Sequence, residues 1–209
     1  MIEKSVEIPI TYPCEVFHNE ASDYQEIFFL LHGFQQSGDF IFKRLLPHLP
    51  KKALVIAPNA PFLVPIKKDN RYHKAYAWYF FDPYTKEFPI NYDPASHYLK
   101  NLGVHLGFKN VPITIIGYSQ GGYLAPKVAE LYPNCKKVIG LNCIFRPGRF
   151  EINLNADYTQ VHGKNDDIVS INEARENYQS LFESTEMFYE VESDHRLSDE
   201  VIQKLSEVL

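Results

Sequence analysis

The chain has 209 residues, 45% of them hydrophobic, and no proline-, glycine- or serine-rich stretch divides it. That length buries one sizeable core, so a single domain spanning 1–209 is expected. The net charge of −5 is spread along the chain with no run of lysine and arginine, which argues against a nucleic-acid partner.

The stretch Met1-Ile2-Glu3-Lys4-Ser5 is polar and alternating where a secretory leader needs an uninterrupted apolar core, and no later run approaches membrane-spanning length. A cytoplasmic protein without stable membrane insertion is therefore expected. Cys14, Cys135 and Cys143 are odd in number and lack metal-ligand spacing, so they read as reduced, mostly buried thiols.

In chain order, residues 6–10 and 14–18 predict two short strands of an edge hairpin. Residues 26–31 form a buried strand that runs into His32-Gly33-Phe34. A helix over 39–49 is stopped by Pro50, and a buried strand over 53–57 follows. The regular rhythm lapses over 62–89, a proline- and aromatic-rich segment read as a long loop, of the kind that is usually functional. A helix over 94–106 leads to a β-branched strand over 111–116 and then to Gly117-Tyr118-Ser119-Gln120-Gly121. After a helix over 123–131 come a strand over 137–141, an irregular stretch over 142–155 and a strand over 158–161. That strand delivers His162-Gly163-Lys164-Asn165-Asp166-Asp167. A helix over 172–182 and a strand over 187–191 present Ser193-Asp194-His195, and the last helix, over 198–209, opens on an N-cap serine.

Strands alternating with helices predict a doubly wound, mostly parallel α/β sheet whose ligands bind beyond the carboxyl ends of its strands. Ser119, the acidic pair Asp166-Asp167 and His195 all fall at such ends. Gly-x-Ser-x-Gly at a strand-to-helix turn is a nucleophile elbow, in which the flanking glycines remove Cβ atoms where strand and helix crowd together. A serine hydroxyl is a poor nucleophile alone, so it needs a histidine base, and the base needs a carboxylate to hold its tautomer. His195 follows the last strand, in the order serine, acid, histidine; His32 and His162 precede glycines at turns and read as structural. Periodicity does not separate Asp166 from Asp167.

The motifs His32-Gly33-Phe34, Gly117-Tyr118-Ser119-Gln120-Gly121-Gly122, His162-Gly163-x-x-Asp166 and His195-Arg196-Leu197-Ser198 resemble those of the carboxylesterase and acyl-protein thioesterase (phospholipase/carboxylesterase) family over nearly the whole chain. The resemblance implies an α/β-hydrolase fold, selects Asp166 as the acid, and assigns the backbone amides of Phe34 and Gln120 to an oxyanion hole. The chain carries Gln35-Gln36 where the family commonly has Gly-Asp, and Asp194 precedes His195 where glycine is frequent. Trp78-Tyr79-Phe80-Phe81-Asp82 is a stretched counterpart of the family's Trp-Phe-Asp near the substrate.

The function expected is therefore a serine hydrolase, independent of metal or cofactor, that cleaves carboxylic esters or thioesters through an acyl-enzyme. Its substrates are small-molecule or lipid-like acyl compounds, with an acylated protein as a further class the resemblance implies. The segment 62–89 is expected to form one wall of the acyl site, with Trp78, Phe80 and Phe81 contacting substrate. Lys67, Lys68, Arg71 and Lys74 read as a solvated charged face, with attraction of an anionic substrate as the second reading. Two alternatives stay open: a non-catalytic binding protein of the same fold, and a peptidase or lactone hydrolase using the same three residues.

Overall fold

The computed structural model of the protein describes residues 14–80 and 90–209. Its seven-stranded sheet is made of β1 (Val16–His18), β2 (Ile27–Leu31), β3 (Leu54–Pro58), β8 (Ile113–Tyr118), β9 (Cys135–Leu141), β10 (Asp157–Gly163) and β11 (Phe188–Val191). Their spatial order is β1-β3-β2-β8-β9-β10-β11; β1 pairs antiparallel with β3 and every other pairing is parallel. From β2 the chain first steps outward to β3, then returns past β2 to β8 and proceeds the other way. The carboxyl ends of β2 and β8 therefore flank the switch point where a doubly wound sheet opens a crevice.

Among the described residues, five α-helices, α1 (Gly38–Leu45), α2 (Asp93–His105), α3 (Gln120–Ala129), α4 (Ile171–Phe182) and α5 (Asp199–Val208), cover the sheet. All five residues of β2 are buried, as a strand covered on both faces requires. Phe28 and Leu30 pack with Ile41 and Leu45 of α1 and Val201, Ile202 and Leu205 of α5. The alternate residues Ile27, Phe29 and Leu31 pack with α2, α3 and α4. Side chains that point to opposite faces of one strand thus build two cores. Ser198 caps α5, its Oγ accepting the Val201 N–H at 3.4 Å.

Residues 6–10, the expected first strand of the edge hairpin, lie outside the described residues; β1 pairs antiparallel with β3. The segment after Pro61 differs from the expected loop. It contains β4 (Phe62–Leu63) paired with β7 (Tyr76–Ala77), and between them the hairpin of β5 (Ile66–Lys68) and β6 (Arg71–His73). Its two-residue turn places Asp69 and Asn70 at φ of 49° and 59°, the left-handed pair whose twist matches a hairpin. Helix α3 also begins at once after Ser119 rather than at residue 123. Gly121 and Gly122 are poor helix formers, but a Cβ on Gly121 would lie 2.2 Å from the Leu31 carbonyl oxygen, so close packing decides the residue there. Among the described residues, no helix is long and apolar enough to cross a membrane.

Candidate active site

Ser119 sits between β8 and α3 with φ 49° and ψ −118°, a strained conformation for a residue with a Cβ. The turn is held by its N–H, which donates to the Leu141 carbonyl at 2.9 Å. A Cβ on Gly117 would meet the Gly121 carbonyl oxygen at 2.3 Å, which accounts for glycine at that end of the elbow.

Ser119 Oγ lies 2.9 Å from His195 Nε2, and His195 Nδ1 lies 2.8 Å from Asp166 Oδ2. The Asp166 side chain has no exposed surface. Its Oδ1 accepts the N–H groups of Ile168 and Val169 at 2.9 and 2.8 Å, and His162 Nε2 stands 3.3 Å from Oδ2. Burial pushes this carboxyl up, but hydrogen bonds from His162, His195 and the Val169 amide outweigh it and hold Asp166 well below the usual carboxylate range. An ionised carboxylate at Nδ1 assigns the imidazole proton there and leaves Nε2 to accept from the serine hydroxyl. Asp167, the neighbour that periodicity does not separate, is exposed. The neighbouring Asp194 is turned outward and accepts from Arg196 N–H at 2.9 Å and Arg196 Nε at 2.7 Å.

The loop carrying His195 is fastened from two sides. Tyr118 Oη donates to the His195 carbonyl at 2.7 Å. Asn142 Nδ2 faces the carbonyls of Asp194, His195 and Arg196 at 3.3, 3.0 and 3.1 Å, while its Oδ1 accepts the Gly163 N–H at 2.9 Å. Asn142 thereby ties the end of β9 to both the histidine loop and the strand leading to Asp166. Asn142 falls in the irregular stretch expected over 142–155; the signal in the sequence is an asparagine immediately after a strand, a residue that tolerates the left-handed φ of 48° found here.

On the other side of the crevice, the turn after β2 is built without the family's Gly-Asp. Gln35 takes a left-handed φ of 56° and donates its N–H to Tyr76 O at 3.0 Å, and Gln36 Oε1 accepts the Gly33 N–H at 3.0 Å. Both Phe34 and Gln120 line the cavity above Ser119. Gln120 is the first residue of α3, where helix N–H groups lack intrahelical partners. Its buried side chain bridges the turn, with Oε1 accepting Trp78 N–H at 2.8 Å and Nε2 donating to Tyr79 O at 3.0 Å. His32 and His162 are both fully buried. His32 Nδ1 donates to Gly33 O at 2.7 Å and Nε2 accepts Ala60 N–H at 3.0 Å, and burial lowers its pKa to about 4, so it is neutral.

The aromatic residues expected at the acyl site are distributed differently. Trp78 has no exposed surface, stacks near His32 with ring centroids 5.0 Å apart, and donates Nε1–H to His32 O at 2.8 Å. It is core beneath the turn rather than cavity wall, because a large ring can fill the layer between sheet and helix once its N–H finds a carbonyl. Phe80 faces a second cavity of about 360 Å³ beside Phe62, and Phe81 lies outside the described residues. Among the described residues of this run, Tyr79 is the one that reaches the Ser119 cavity. Lys67, Lys68 and Arg71 are exposed on the β5–β6 hairpin, and Lys74 pairs with Glu15 at 3.4 Å; among the described residues, the cation that lines the Ser119 cavity is Arg146.

That cavity holds about 410 Å³ and is walled largely by Phe34, Tyr79, Ile90, Tyr123, Ile168 and Val169. Its apolar lining around one hydroxyl–imidazole pair suits an acyl chain whose carbonyl stops at Ser119. Among the described residues, no group of three or more His, Cys, Asp or Glu is placed to hold a metal ion.

Solved structures with this fold include acyl-protein thioesterase 2 of Zea mays, at 18% identity and TM-score 0.69, with 95% of this chain and 97% of that one covered. The Bacillus cereus carboxylesterase matches at 16% identity and TM-score 0.68, covering 93% and 92%. A carboxylesterase from Mesorhizobium loti matches at 16% identity and TM-score 0.63, covering 88% of each chain. No curated protein sequence matches the chain. The family described as phospholipase/carboxylesterase matches residues 13–209, and with that match over nearly its full length the chain belongs to the phospholipase/carboxylesterase family.

Proposed function

We propose that this member of the family cleaves carboxylic esters or thioesters through an acyl-enzyme on Ser119, with His195 as base and Asp166 as its orienting acid. The observation that carries the reading is the unbroken chain of hydrogen bonds from Ser119 Oγ through His195 to the buried Asp166, opening into an apolar cavity.

In the first half-reaction Ser119 Oγ attacks the carbonyl carbon as its proton passes to His195 Nε2. Asp166 stabilises the resulting imidazolium without itself taking the proton. The oxyanion accepts from the amides of Phe34 and Gln120, the latter at a helix N-terminus whose dipole favours negative charge. The tetrahedral adduct collapses as His195 returns the proton to the leaving alcohol or thiol. Water then enters, gives its proton to His195 and attacks the acyl carbonyl, and the acid leaves as the proton returns to Ser119 Oγ.

The substrates that fit are small-molecule or lipid-like acyl esters and thioesters, and the proposal extends to acylated proteins. Incubation with a fluorophosphonate tests the core of it. Covalent mass should appear on the peptide holding Ser119, with parallel loss of ester hydrolysis; an unlabelled protein that still hydrolyses esters would refute the assignment.

A further inference from the structure

Among the described residues lining the Ser119 cavity, Arg146 is the only one with a permanent charge. It follows the buried run Cys143, Ile144 and Phe145, which leads away from β9. Its guanidinium lies over the Tyr123 ring, 5.4 Å from the centroid, and its charge reaches Tyr79, Tyr92 and Tyr123, opposing the upward shift that burial imposes on each phenol. A cation is thus set among aromatic walls in the chamber expected to hold the acyl group.

Two features show that the charge is incompletely used by the protein. The guanidinium hydrogen-bonds the Tyr123 side chain, but Nε is buried and donates to no partner among the described residues. The carboxylate that approaches it, Glu173 Oε1, stands 3.8 Å from Nη2, and the two side chains are 39% and 50% exposed. An open, long ion pair of that kind is weak. A buried donor without an acceptor is costly, and the planar guanidinium fork matches a carboxylate with two parallel bonds.

We propose that Arg146 is a specificity-determining residue, and that the preferred substrates are esters or thioesters carrying a carboxylate on the acyl or the alcohol portion. This rests on Ser119 being the nucleophile of the same cavity. The substrate's carboxylate would pair with the guanidinium where it opens into the cavity, while the aromatic walls enclose the intervening chain.

The test compares matched esters by acid release at constant pH. Monomethyl adipate against methyl hexanoate places the charge on the acyl side; hexanoyloxyacetate against ethyl hexanoate places it on the alcohol side. One anionic ester should exceed its neutral partner in kcat/KM by about tenfold or more, chiefly through KM, as a charge-assisted hydrogen bond implies. Arg146→Met should abolish the preference, bringing the anionic-to-neutral ratio of kcat/KM to about one, and Arg146→Lys, which keeps charge but loses the fork, should retain part of it. Glu173→Gln should leave the preference intact or enlarge it.

Neutral esters hydrolysed with no anionic preference, or a preference that survives in both Arg146 variants, would overturn this inference and leave the esterase reading standing. If no ester is turned over, binding decides. Calorimetric titration of Ser119→Ala with monomethyl adipate and with hexanoyloxyacetate should show, for one of the two, affinity at least about tenfold higher than after Arg146→Met is added, with a smaller loss after Arg146→Lys. Equal or undetectable binding in that series would overturn the inference as well.

Discussion

Asn142 Nδ2 donates to the carbonyl of His195 at 3.0 Å from a side chain with no exposed surface. The amide's orientation is unambiguous, because Oδ1 faces the Gly163 N–H and Nδ2 faces three carbonyls. Asn142→Asp keeps the acceptor and turns the donor into negative charge against those carbonyls, so it should damage catalysis more than Asn142→Ala does. Since an ångström of misplacement can cost about 10²-fold, Ala is expected to lower kcat by about 10- to 100-fold with KM nearly unchanged. Steady-state kinetics of both variants check the ranking; equal kcat in Asp and wild type would remove Asn142 from any positioning role.

Ser119→Ala should eliminate fluorophosphonate labelling and ester turnover while the thermal midpoint stays close to that of the wild type, since only an oxygen is lost. Full residual activity in this variant would exclude Ser119.

Asp166 and Asp167 should separate by orders of magnitude. Asp166→Asn removes the carboxylate that holds the His195 tautomer and should lower kcat by up to about 10⁴. Asp167→Asn changes an exposed side chain and should stay within about twofold. A larger effect at Asp167, measured under the same conditions, would move the acid by one position.

Acid should destabilise the fold through His32. Burial lowers its pKa from 6.5 to about 4, so between those values the unfolded chain binds a proton that the fold refuses. Stability is complete above pH 6.5 and falls as the pH drops toward 4, by about 3 kcal/mol for this group. Asp166 adds nothing in that window: its depressed pKa gives stability that is lost only as the pH falls below the ordinary carboxylate value. Urea unfolding at pH 7.5 and 4.5 should show the loss in the wild type and a flatter response in His32→Gln, whatever that variant's absolute stability. Parallel losses in both proteins would assign the acid sensitivity elsewhere.

Trp78→Ala should destabilise by about 3 to 5 kcal/mol, the cost of emptying a large buried site. Trp78→Phe should lose less, mainly by leaving the buried His32 carbonyl without its 2.8 Å donor. Neither change should alter the ratio of acetyl to long-chain ester turnover, because the ring stacks under the turn rather than facing the acyl cavity. A selective rise in KM for long chains would return Trp78 to the substrate wall.

The nucleophile elbow, the order of serine, acid and histidine, and the alternation of strand and helix are local properties. The steric demand on Gly117, the β-branched composition of β8 and the N-cap at Ser198 act within a few residues, so they are legible in a linear string. The choice of Asp166 over Asp167 drew on motif resemblance; the geometry behind it is a buried carboxylate meeting His195 across 29 positions of chain. The sorting of the aromatic run escapes the linear string for a related reason. Trp78, Tyr79 and Phe80 are adjacent, yet one enters the core, one the Ser119 cavity and one a second cavity. Composition cannot sort them, because the side a ring takes depends on which buried carbonyl or neighbouring ring awaits it. Asn142 and Arg146 went unmarked because each acquires its role from partners supplied by other elements: three carbonyls after β11 for one, a cavity shared with Ser119 for the other. Such roles arise from convergence in space, and no periodicity in the chain encodes it.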